Sequence, residues 1–560
     1  MPPSLTADDI AATASSDSTG SPGSSTVPKR LLGALATAFA RAPPKFVVAC
    51  YRRQPRTALP RRGRSIQSFG MKAPAMLVLT VVVGCFAEPL LVTSPGTSGD
   101  SSSGTGAPSN DDGTSASAAS DADGPGSSHA ETSTGNAIDG GGATCGDGIL
   151  DDGEACDDAN GVADDGCDPD CQASELVAID GGRAHFCGLT RSGAVLCWGD
   201  NEAGQLGLGH TDAVGDDTDD RLDRAVELGA RAIAVQAGGA RSCAALEDGS
   251  VRCWGVVGRD RLGDEPADFP LPAVALGGGE VRELAAGLAN DCALLDGGVV
   301  RCWGQGYAGV LGQGNTDAVL PTDDAPAPIV PLGNAVPEHI ACGVTTCCAA
   351  SHDDVLCWGT GALGVGVDAM TAIGDQLGEM PPMPVQDTLI TQTDAIAVGM
   401  SACRLAPDGE VRCWGANQAG QLGTGATAEV RGGFDDAPVS LPVASDTLEV
   451  VMGIAHLCAR STIGEVRCLG TGYQGANGAG TGSGVGDEPG ETPPAPLPLP
   501  APALLLGAAN YATCAWLDTH ELWCWGENSS GQLGQGDQIA LGDDEPIDVG
   551  HPVPLFGRVP

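Results

Sequence analysis

The stretch from Ile233 to Gly255, IAVQAGGARSCAALEDGSVRCWG, decides the fold of this chain. Apolar residues at strand spacing lie on both sides of Glu247-Asp248-Gly249, which predicts two strands joined by a tight turn. A glycine at the third position of such a loop supplies the positive φ that a hairpin with a bulge requires. Counting outward from the turn places Cys243 opposite Cys253. The pattern therefore predicts a hairpin cross-linked by a disulfide.

The hairpin occurs seven times, with its two cysteines always ten residues apart. Trp-Gly follows the second cysteine in every copy except the sixth, which has Leu469-Gly470. The first cysteines of successive copies are 49 to 56 residues apart, a period typical of propellers and other repeat arrays. Such regular pairs favour disulfides and an oxidising compartment, whereas zinc would require close C-x-x-C pairs. The pairs are Cys187/Cys197, Cys243/Cys253, Cys292/Cys302, Cys347/Cys357, Cys403/Cys413, Cys458/Cys468 and Cys514/Cys524.

A second phrase follows the Trp-Gly in several copies. It reads Gly-Gln-Leu-Gly-x-Gly at residues 204–209, 420–425 and 531–536, and more loosely at 309–314. No Gly-Lys-Ser/Thr follows, so a phosphate-binding loop is disfavoured and a turn for packing the repeats together is expected. His185 and His456 share the position two before the first cysteine, which indicates repeat packing and not catalysis.

These two phrases together resemble the repeat of the regulator of chromosome condensation family, over residues 174–560. The resemblance implies an all-β, seven-bladed propeller with four-stranded blades, and our pairing adds one cross-strand disulfide per blade. The best-known activity of the family is guanine-nucleotide exchange on a small GTPase, and secreted propellers of this type inhibit enzymes. Both are alternatives to a plain binding scaffold, because a fold does not by itself carry a function.

The fourth copy and the end of the chain depart from the pattern. The fourth turn, His352-Asp353-Asp354, lacks glycine, and Cys342 and Cys348 are additional. These two cysteines either bridge each other or stay unpaired, and the adjacent Cys347 and Cys348 leave the choice of bridge partner open. A Pro-rich apolar strand precedes copies two to seven but not the first, and Pro552-Val553-Pro554-Leu555 remains after the last. We therefore expect the carboxyl terminus to complete the first blade and so close the ring.

The amino-terminal region predicts export. Residues 1–70 are expected to be disordered, or an upstream segment that is not part of the protein. Residues 71–85 form a short secretory signal whose end, Val82-Val83-Gly84-Cys85, resembles a bacterial lipobox. That resemblance makes Cys85 the lipid-attached first residue; a plain signal peptide with an incidental cysteine is the alternative. Residues 86–144, rich in Ser, Gly, Thr and Asp, are expected to be a flexible linker.

Residues 145–172 form a small acidic, cysteine-rich module. Its cysteines predict two disulfides with three possible connectivities, among Cys145, Cys156, Cys167 and Cys171. The module resembles a short cysteine-rich repeat of secreted proteins in myxobacteria-like bacteria. Its carboxylates either hold Ca²⁺ or simply face solvent, since their spacing differs from a known calcium loop. These residues are Asp147, Asp151, Asp157, Asp158, Asp164 and Asp165.

The formal net charge of −44 disfavours nucleic acid and anionic lipid as partners and favours cations or basic proteins. Acidic links recur between the repeats at residues 263–266, 486–489 and 542–546, and we expect them to line one rim as a partner surface. No catalytic constellation emerges. The sequence thus predicts a monomeric, non-catalytic, lipid-anchored propeller that faces the periplasm or exterior and binds protein or glycan at the cell envelope.

Overall fold

The computed structural model describes residues 156–557 apart from positions 158, 165, 258–259, 386, 388–391 and 434–435. Residues 1–70, the signal at 71–85 with Cys85, the linker at 86–144 and Cys145 lie outside the described residues. In the part of the chain that is described, no helix is long and apolar enough to cross a membrane.

The chain forms seven antiparallel sheets, one for each repeat, and these are the blades of the propeller. The first strand of each blade packs beside the first strands of its neighbours, so these strands surround the axis. The next two strands are the predicted hairpin. Blades 1 to 3 contain β1 (Leu176–Gly181), β2 (His185–Thr190), β3 (Val195–Gly199); β4 (Ala232–Gly238), β5 (Arg241–Leu246), β6 (Val251–Val257), β7 (Asp260–Leu262); β8 (Val281–Ala286), β9 (Asn290–Leu295) and β10 (Val299–Gly304).

The remaining four blades follow the same order. They contain β11 (His339–Cys342), β12 (Thr346–Ala350), β13 (Val355–Thr360), β14 (Ala372–Ile373); β15 (Ala395–Val398), β16 (Ser401–Leu405), β17 (Val411–Gly415), β18 (Val439–Ser440); β19 (Thr447–Met452), β20 (His456–Ser461), β21 (Val466–Gly470); β22 (Ala503–Ala508), β23 (Ala512–Leu517) and β24 (Leu522–Gly526). Short 3₁₀ turns lie at Pro266–Asp268, Tyr307–Gly309, Tyr473–Gly475, Ile547–Val549 and Leu555–Gly557.

The Pro-rich segments complete the outer edges of the blades through single bridges, and they belong to the blade that precedes them. Ala273 pairs with Arg252 of β6, and Val553 pairs with Leu522 of β24. The expectation that the carboxyl terminus completes blade 1 is therefore wrong. The chain returns after each hairpin to the exposed edge of the strand it has just left, so blade 7 receives the terminal segment. Blade 1 has its own outer segment, in which Ala225 pairs with Leu196.

The ring closes by direct packing of blade 7 against blade 1. A Cβ built on Gly181 would lie 2.4 Å from the carbonyl oxygen of Ala508, so the two innermost strands are in backbone contact. On the outer side, the indole Nε1 of Trp198 donates to the carbonyl of Gln532 at 3.1 Å. Closure thus uses the same side-by-side contacts as the other junctions, without exchange of a strand.

The cross-strand disulfides of six blades form as predicted. In each of them the two cysteines occupy opposing positions of the hairpin, as Cys243 and Cys253 do in the register of β5 and β6. The six bridges are Cys187–Cys197, Cys243–Cys253, Cys292–Cys302, Cys403–Cys413, Cys458–Cys468 and Cys514–Cys524.

In blade 4 the predicted Cys347–Cys357 pair is wrong. Ala350 faces Val355 there, which leaves only residues 351–354 in the turn, whereas Leu405 faces Val411 in blade 5 across residues 406–410. The shorter turn moves the register by one residue, so that Cys348 bonds to Cys357. Cys347 then bonds to Cys342 on the innermost strand, which gives blade 4 two bridges.

Replacement of Cys347 by serine tests this pairing. We expect the variant to expose one new thiol, that of Cys342, when it is unfolded and alkylated without reductant. Peptide mapping by mass spectrometry identifies the labelled residue, and wild-type protein treated in the same way is the control. Alkylation of Cys357 in place of Cys342 would restore the pairing expected from the spacing.

Candidate functional site: the two faces of the ring

The two repeated phrases meet at the blade junctions. The fourth residue of the phrase touches the tryptophan of the next blade. This holds even in the altered fourth copy, Gly-Ala-Leu-Gly at residues 361–364, where a Cβ on Gly364 would lie 2.7 Å from Nε1 of Trp414. In the same way, a Cβ on Gly207 would lie 2.8 Å from Cδ1 of Trp254. Only glycine leaves room for these indoles, and the positive φ of Gly364 and Gly207 also favours glycine. The phrase is thus a packing turn, as the sequence indicates.

The acidic links pack on the same turns. Gly425, the last glycine of one phrase, donates its N–H to the carbonyl of Gly486, the first residue of the following link, at 3.0 Å. Glu491, two residues after that link, accepts the N–H groups of Gly486 at 2.8 Å and Glu488 at 3.0 Å. These backbone hydrogen bonds lower the pKa of Glu491. One recurring acid of each such link therefore closes its own turn.

Equivalent contacts place the links at corresponding positions around the ring, as expected for one rim. The N–H of the last glycine meets the carbonyl that opens the link in the pairs Gly209/Gly263, Gly314/Gly374, Gly425/Gly486, Gly480/Gly542 and Gly536/Gly215. The carboxylates of Asp543, Asp544 and Glu545 cluster in one of these links. The hydrogen bond with Asp544 raises the pKa of Glu545.

The junction between blades 2 and 3 lacks the phrase and contains a buried ion pair. The guanidinium Nε of Arg241 lies 2.7 Å from a carboxylate oxygen of Asp291, and both side chains are less than a tenth exposed. Arg241 also donates to the carbonyls of Gly287, Leu288 and Asn290. Four of the five N–H groups of this cation are thus directed into blade 3.

Histidines occupy the same place at two other junctions. His185 Nε2 lies 2.9 Å from Ser242 Oγ, and His456 Nε2 lies 2.9 Å from Thr513 Oγ1. Both histidines are fully buried. They join blade 1 to blade 2 and blade 6 to blade 7, which is the packing role that the repeat position indicates.

Replacement of Asp291 by alanine should lower the free energy of unfolding by about 3–5 kcal/mol, because it leaves Arg241 charged and buried without its partner. Chemical denaturation measures the change. Asp296→Ala is the matched control in the same blade, since Asp296 pairs with Arg282 where both side chains are more than two-fifths exposed. We expect at most about 1 kcal/mol for it. Equal effects of the two substitutions would contradict the assigned role of the buried pair.

The two ends of the ring differ in chemistry. One end, the loop face, carries the connections between the first and second strand of each blade and the residues that leave the third strand. Backbone hydrogen bonds join these segments, as from Gln305 to Ala289 at 2.8 Å and from Glu527 to Tyr511 at 2.7 Å. The seven connections contain one charged side chain, Arg183. The connections around the axis of the loop face are therefore nearly uncharged, whereas Asp200 and Glu527, which follow the third strands of blades 1 and 7, are acidic.

The opposite end, the hairpin face, carries the turns of the seven hairpins and is strongly acidic. Carboxylates occupy the turns of blades 2 to 7: Glu247, Asp248, Asp296, Asp353, Asp354, Asp408, Glu410, Glu465, Asp518 and Glu521. The negative charge of the propeller is thus concentrated on this face as well as on the links.

The cysteine-rich module contacts the hairpin face of blade 1. Arg191 in the blade 1 turn donates to Asp168 at 2.8 Å and to Asp170 at 2.9 Å. The neighbouring Ser192 hydroxyl donates to Asp164. Burial opposes ionisation of Asp168, but the N–H of Asp164 and the guanidinium of Arg191 outweigh it and lower the pKa of Asp168. The module therefore joins the propeller at the acidic end.

Two of the proposed calcium ligands are described, and both take part in local contacts. Asp157 accepts the N–H of Ala159 at 2.8 Å, and Asp164 contacts Ser192. Asp147, Asp151, Asp158 and Asp165 lie outside the described residues. In the module Cys156 bonds to Cys167, while Cys171 is half-buried.

The three tyrosines of the described chain all lie on the loop face. Tyr473 is 53% exposed and Tyr307 is 36% exposed, and each follows a glycine two residues beyond the third strand of its blade. Tyr511 lies in the connection of blade 7, where burial and the negative charge of Glu527 raise its pKa. The rings of Tyr473 and Tyr511 meet edge-on, with centroids 4.9 Å apart. Met400, 38% exposed, lies on the same face of blade 5.

Sequence reasoning missed this aromatic patch. The chain has only four tyrosines, and Tyr473 and Tyr511 are 38 positions apart, so neither composition nor a local window brings them together. The shared Gly-Tyr at 306–307 and 472–473, read in repeat alignment, is the signal that would have placed two of them on one face.

An open cleft of about 560 Å³ lies on blade 1. Among its lining residues are His210, Asp219, Arg221 and Asp223, and no serine, threonine, cysteine or lysine. Arg221 pairs with Asp223 within the wall. The cleft thus offers carboxylates, a histidine and arginines, but no hydroxyl, thiol or amine nucleophile.

Comparison with known proteins agrees with the repeat. Residues 176–205, which span blade 1 into its phrase, match the family model of the Regulator of chromosome condensation (RCC1) repeat. E3 ubiquitin-protein ligase HERC2 of Homo sapiens is 29% identical over 298 residues, which are 51% of this chain and 6% of that protein. The chain thus spans a small part of that relative's length. Ultraviolet-B receptor UVR8 of Arabidopsis thaliana is 26% identical over 381 residues, 65% of this chain and 80% of the receptor.

Among solved structures, Prp20p from Saccharomyces cerevisiae superimposes with a TM-score of 0.48 at 19% identity. The match covers 68% of this chain and 87% of that one. The published description of that structure concerns the binding of Prp20p to Gsp1p and histones.

Proposed function

We propose that this chain is an exported, lipid-anchored propeller of the cell envelope that acts without catalysis as a monomeric scaffold for a protein or glycan partner. The observation that carries the proposal is the cross-linking of the propeller. Its sixteen cysteines form eight buried or nearly buried bridges. Cytosolic thiols are kept reduced, so this number of bridges favours an oxidising compartment.

The attachment of the module supports a particular orientation. The module precedes the propeller in sequence and contacts the hairpin face through Arg191, so a tether at Cys85 would reach the ring from that side. The loop face is at the opposite end of the blades. It is the surface that such an attachment leaves accessible to a partner.

Guanine-nucleotide exchange, the activity that the resemblance of the repeat implies, is the weaker alternative. A cytosolic GTPase would require the same chain to work where its disulfides are reduced. Inhibition of an exported enzyme is the second candidate, and the tyrosine patch favours it. Tyrosine is enriched among residues that dominate protein interfaces, and Tyr473 offers an exposed ring on the loop face.

Cell fractionation and affinity capture test the proposal together. Full-length protein should be found in the membrane fraction and bind an envelope component, while Cys85→Ser should release it into the soluble exported fraction. Cys85→Ser should still bind the component, because the propeller is unchanged. Wild-type protein found only in the cytosol, or recovery of a cytosolic GTPase as its sole partner, would refute the proposed function.

A further inference from the structure

We propose that the loop face of blades 5 to 7 binds an uncharged carbohydrate chain, with Tyr473 and Tyr511 as the side chains on which its sugar rings stack. The inference rests on the proposed function, because it names the ligand class of that scaffold. It is carried by three features of one surface: a fixed aromatic pair, the amide groups around it, and the lack of charge in its connections.

The aromatic pair is held in place before any ligand arrives. Tyr473 lies in a 3₁₀ turn in which its N–H donates to Thr471 Oγ1 at 3.1 Å, and the N–H of Gly475 donates to Gly472 at 2.9 Å. The Tyr511 ring meets that of Tyr473 at an interplanar angle of 65°. Two fixed rings at this angle offer a face for the C–H side of a sugar, at little cost in side-chain entropy.

One amide side chain contacts the pair, and two others lie nearby in sequence or on the neighbouring blade. Gln474 Nε2 lies 3.4 Å from the Tyr473 hydroxyl, and Gln418 is exposed on the neighbouring blade 5. Asn510, next to Tyr511, is 2% exposed, and its Oδ1 accepts no hydrogen bond from the described residues. Amides and phenols supply both donors and acceptors, which is what sugar hydroxyls require.

The connections at the centre of this patch carry neither acidic nor basic side chains. They are Gly399-Met400 in blade 5, residues 453–455 in blade 6 and residues 509–511 in blade 7. A formal charge of −44 disfavours anionic polymers, and a basic partner is attracted more strongly to the carboxylates of the hairpin face. Glu527, which follows the third strand of blade 7, brings a carboxylate beside Tyr511 and disfavours anionic sugars there. We therefore expect an uncharged ligand to prefer the loop face to the rest of the surface.

Titration with neutral oligosaccharides tests the inference on the full-length protein. Hexamers of glucose, mannose and N-acetylglucosamine are screened by saturation-transfer NMR, and a binder is measured by calorimetry. We expect at least one to bind saturably, and Tyr473→Ala and Tyr511→Ala each to weaken it about tenfold. Tyr307→Ala, on blade 3 of the same face, should leave the affinity unchanged. Tyr473→Phe should retain most of it, because the stacking ring remains.

Three results would overturn the inference: no neutral hexamer binds at millimolar concentration, a hexamer binds equally well to Tyr473→Ala and Tyr511→Ala, or only charged polysaccharides bind. Envelope capture separates this failure from failure of the proposed function. A wild-type protein that retains an envelope protein but no neutral sugar keeps its role as a scaffold and loses the carbohydrate assignment. A protein that binds neither, and is found in the cytosol, loses both.

Discussion

The packing of an indole against a glycine turn, which occurs at five of the seven blade junctions, is the contact on which this structure depends. A Cβ on Gly534 would lie 3.3 Å from Trp198, so the same contact that joins consecutive blades also joins the last to the first. The last glycine of each turn then bonds to the acidic link of the next blade. Glycine is required because the indole and the neighbouring backbone fill the space of a side chain.

The junction between blades 2 and 3, which lacks the glycine turn, shows which contacts can take its place. Blade 2 lacks the glycine turn, and β7 pairs with β6 in its place. Between blades 2 and 3 the buried polar contact is the ion pair of Arg241 and Asp291. The attraction between these side chains must offset the free-energy cost of removing two charges from water. Because the blades form a closed ring, the opening of one weak junction would disturb the others. Each junction therefore needs its own stabilising contacts.

The hairpin face and the loop face of the ring differ in charge. Carboxylates and the docked module occupy the hairpin face, whereas tyrosines and amides occupy the loop face. Neither a nucleophile with its base nor a bound group is needed for a surface of this kind. We propose that a surface of this kind serves the recognition of a partner.

Much of the fold follows from local chemistry that a sequence displays. A glycine in the turn, or His520 at positive φ in blade 7, determines which cysteines oppose each other, so six of the seven pairs could be counted out in advance. Blade 4 could not, because removal of one turn residue shifts Cys348 into the place of Cys347. The prediction that Val553 joins blade 1 was also wrong, because the order of strands in the sequence does not determine which exposed sheet edge a segment joins.

The candidate site was less accessible to sequence reasoning. The acidic links attracted attention by their charge, yet Glu491 and its equivalents are occupied in closing turns. The tyrosine pair is invisible until folding brings blade 6 beside blade 7. The candidate binding surface is formed by contacts between neighbouring blades, and these contacts exist only once the ring has folded.

The oxidation state of the propeller in its own cell tests the central claim most directly. Thiols are blocked by alkylation at the moment of lysis, the protein is then reduced, and its cysteines are labelled a second time for mass spectrometry. We predict that all sixteen propeller cysteines, Cys187 through Cys524, carry only the second label. First-label modification of most of them would show a reduced propeller and contradict the cross-linked, exported scaffold.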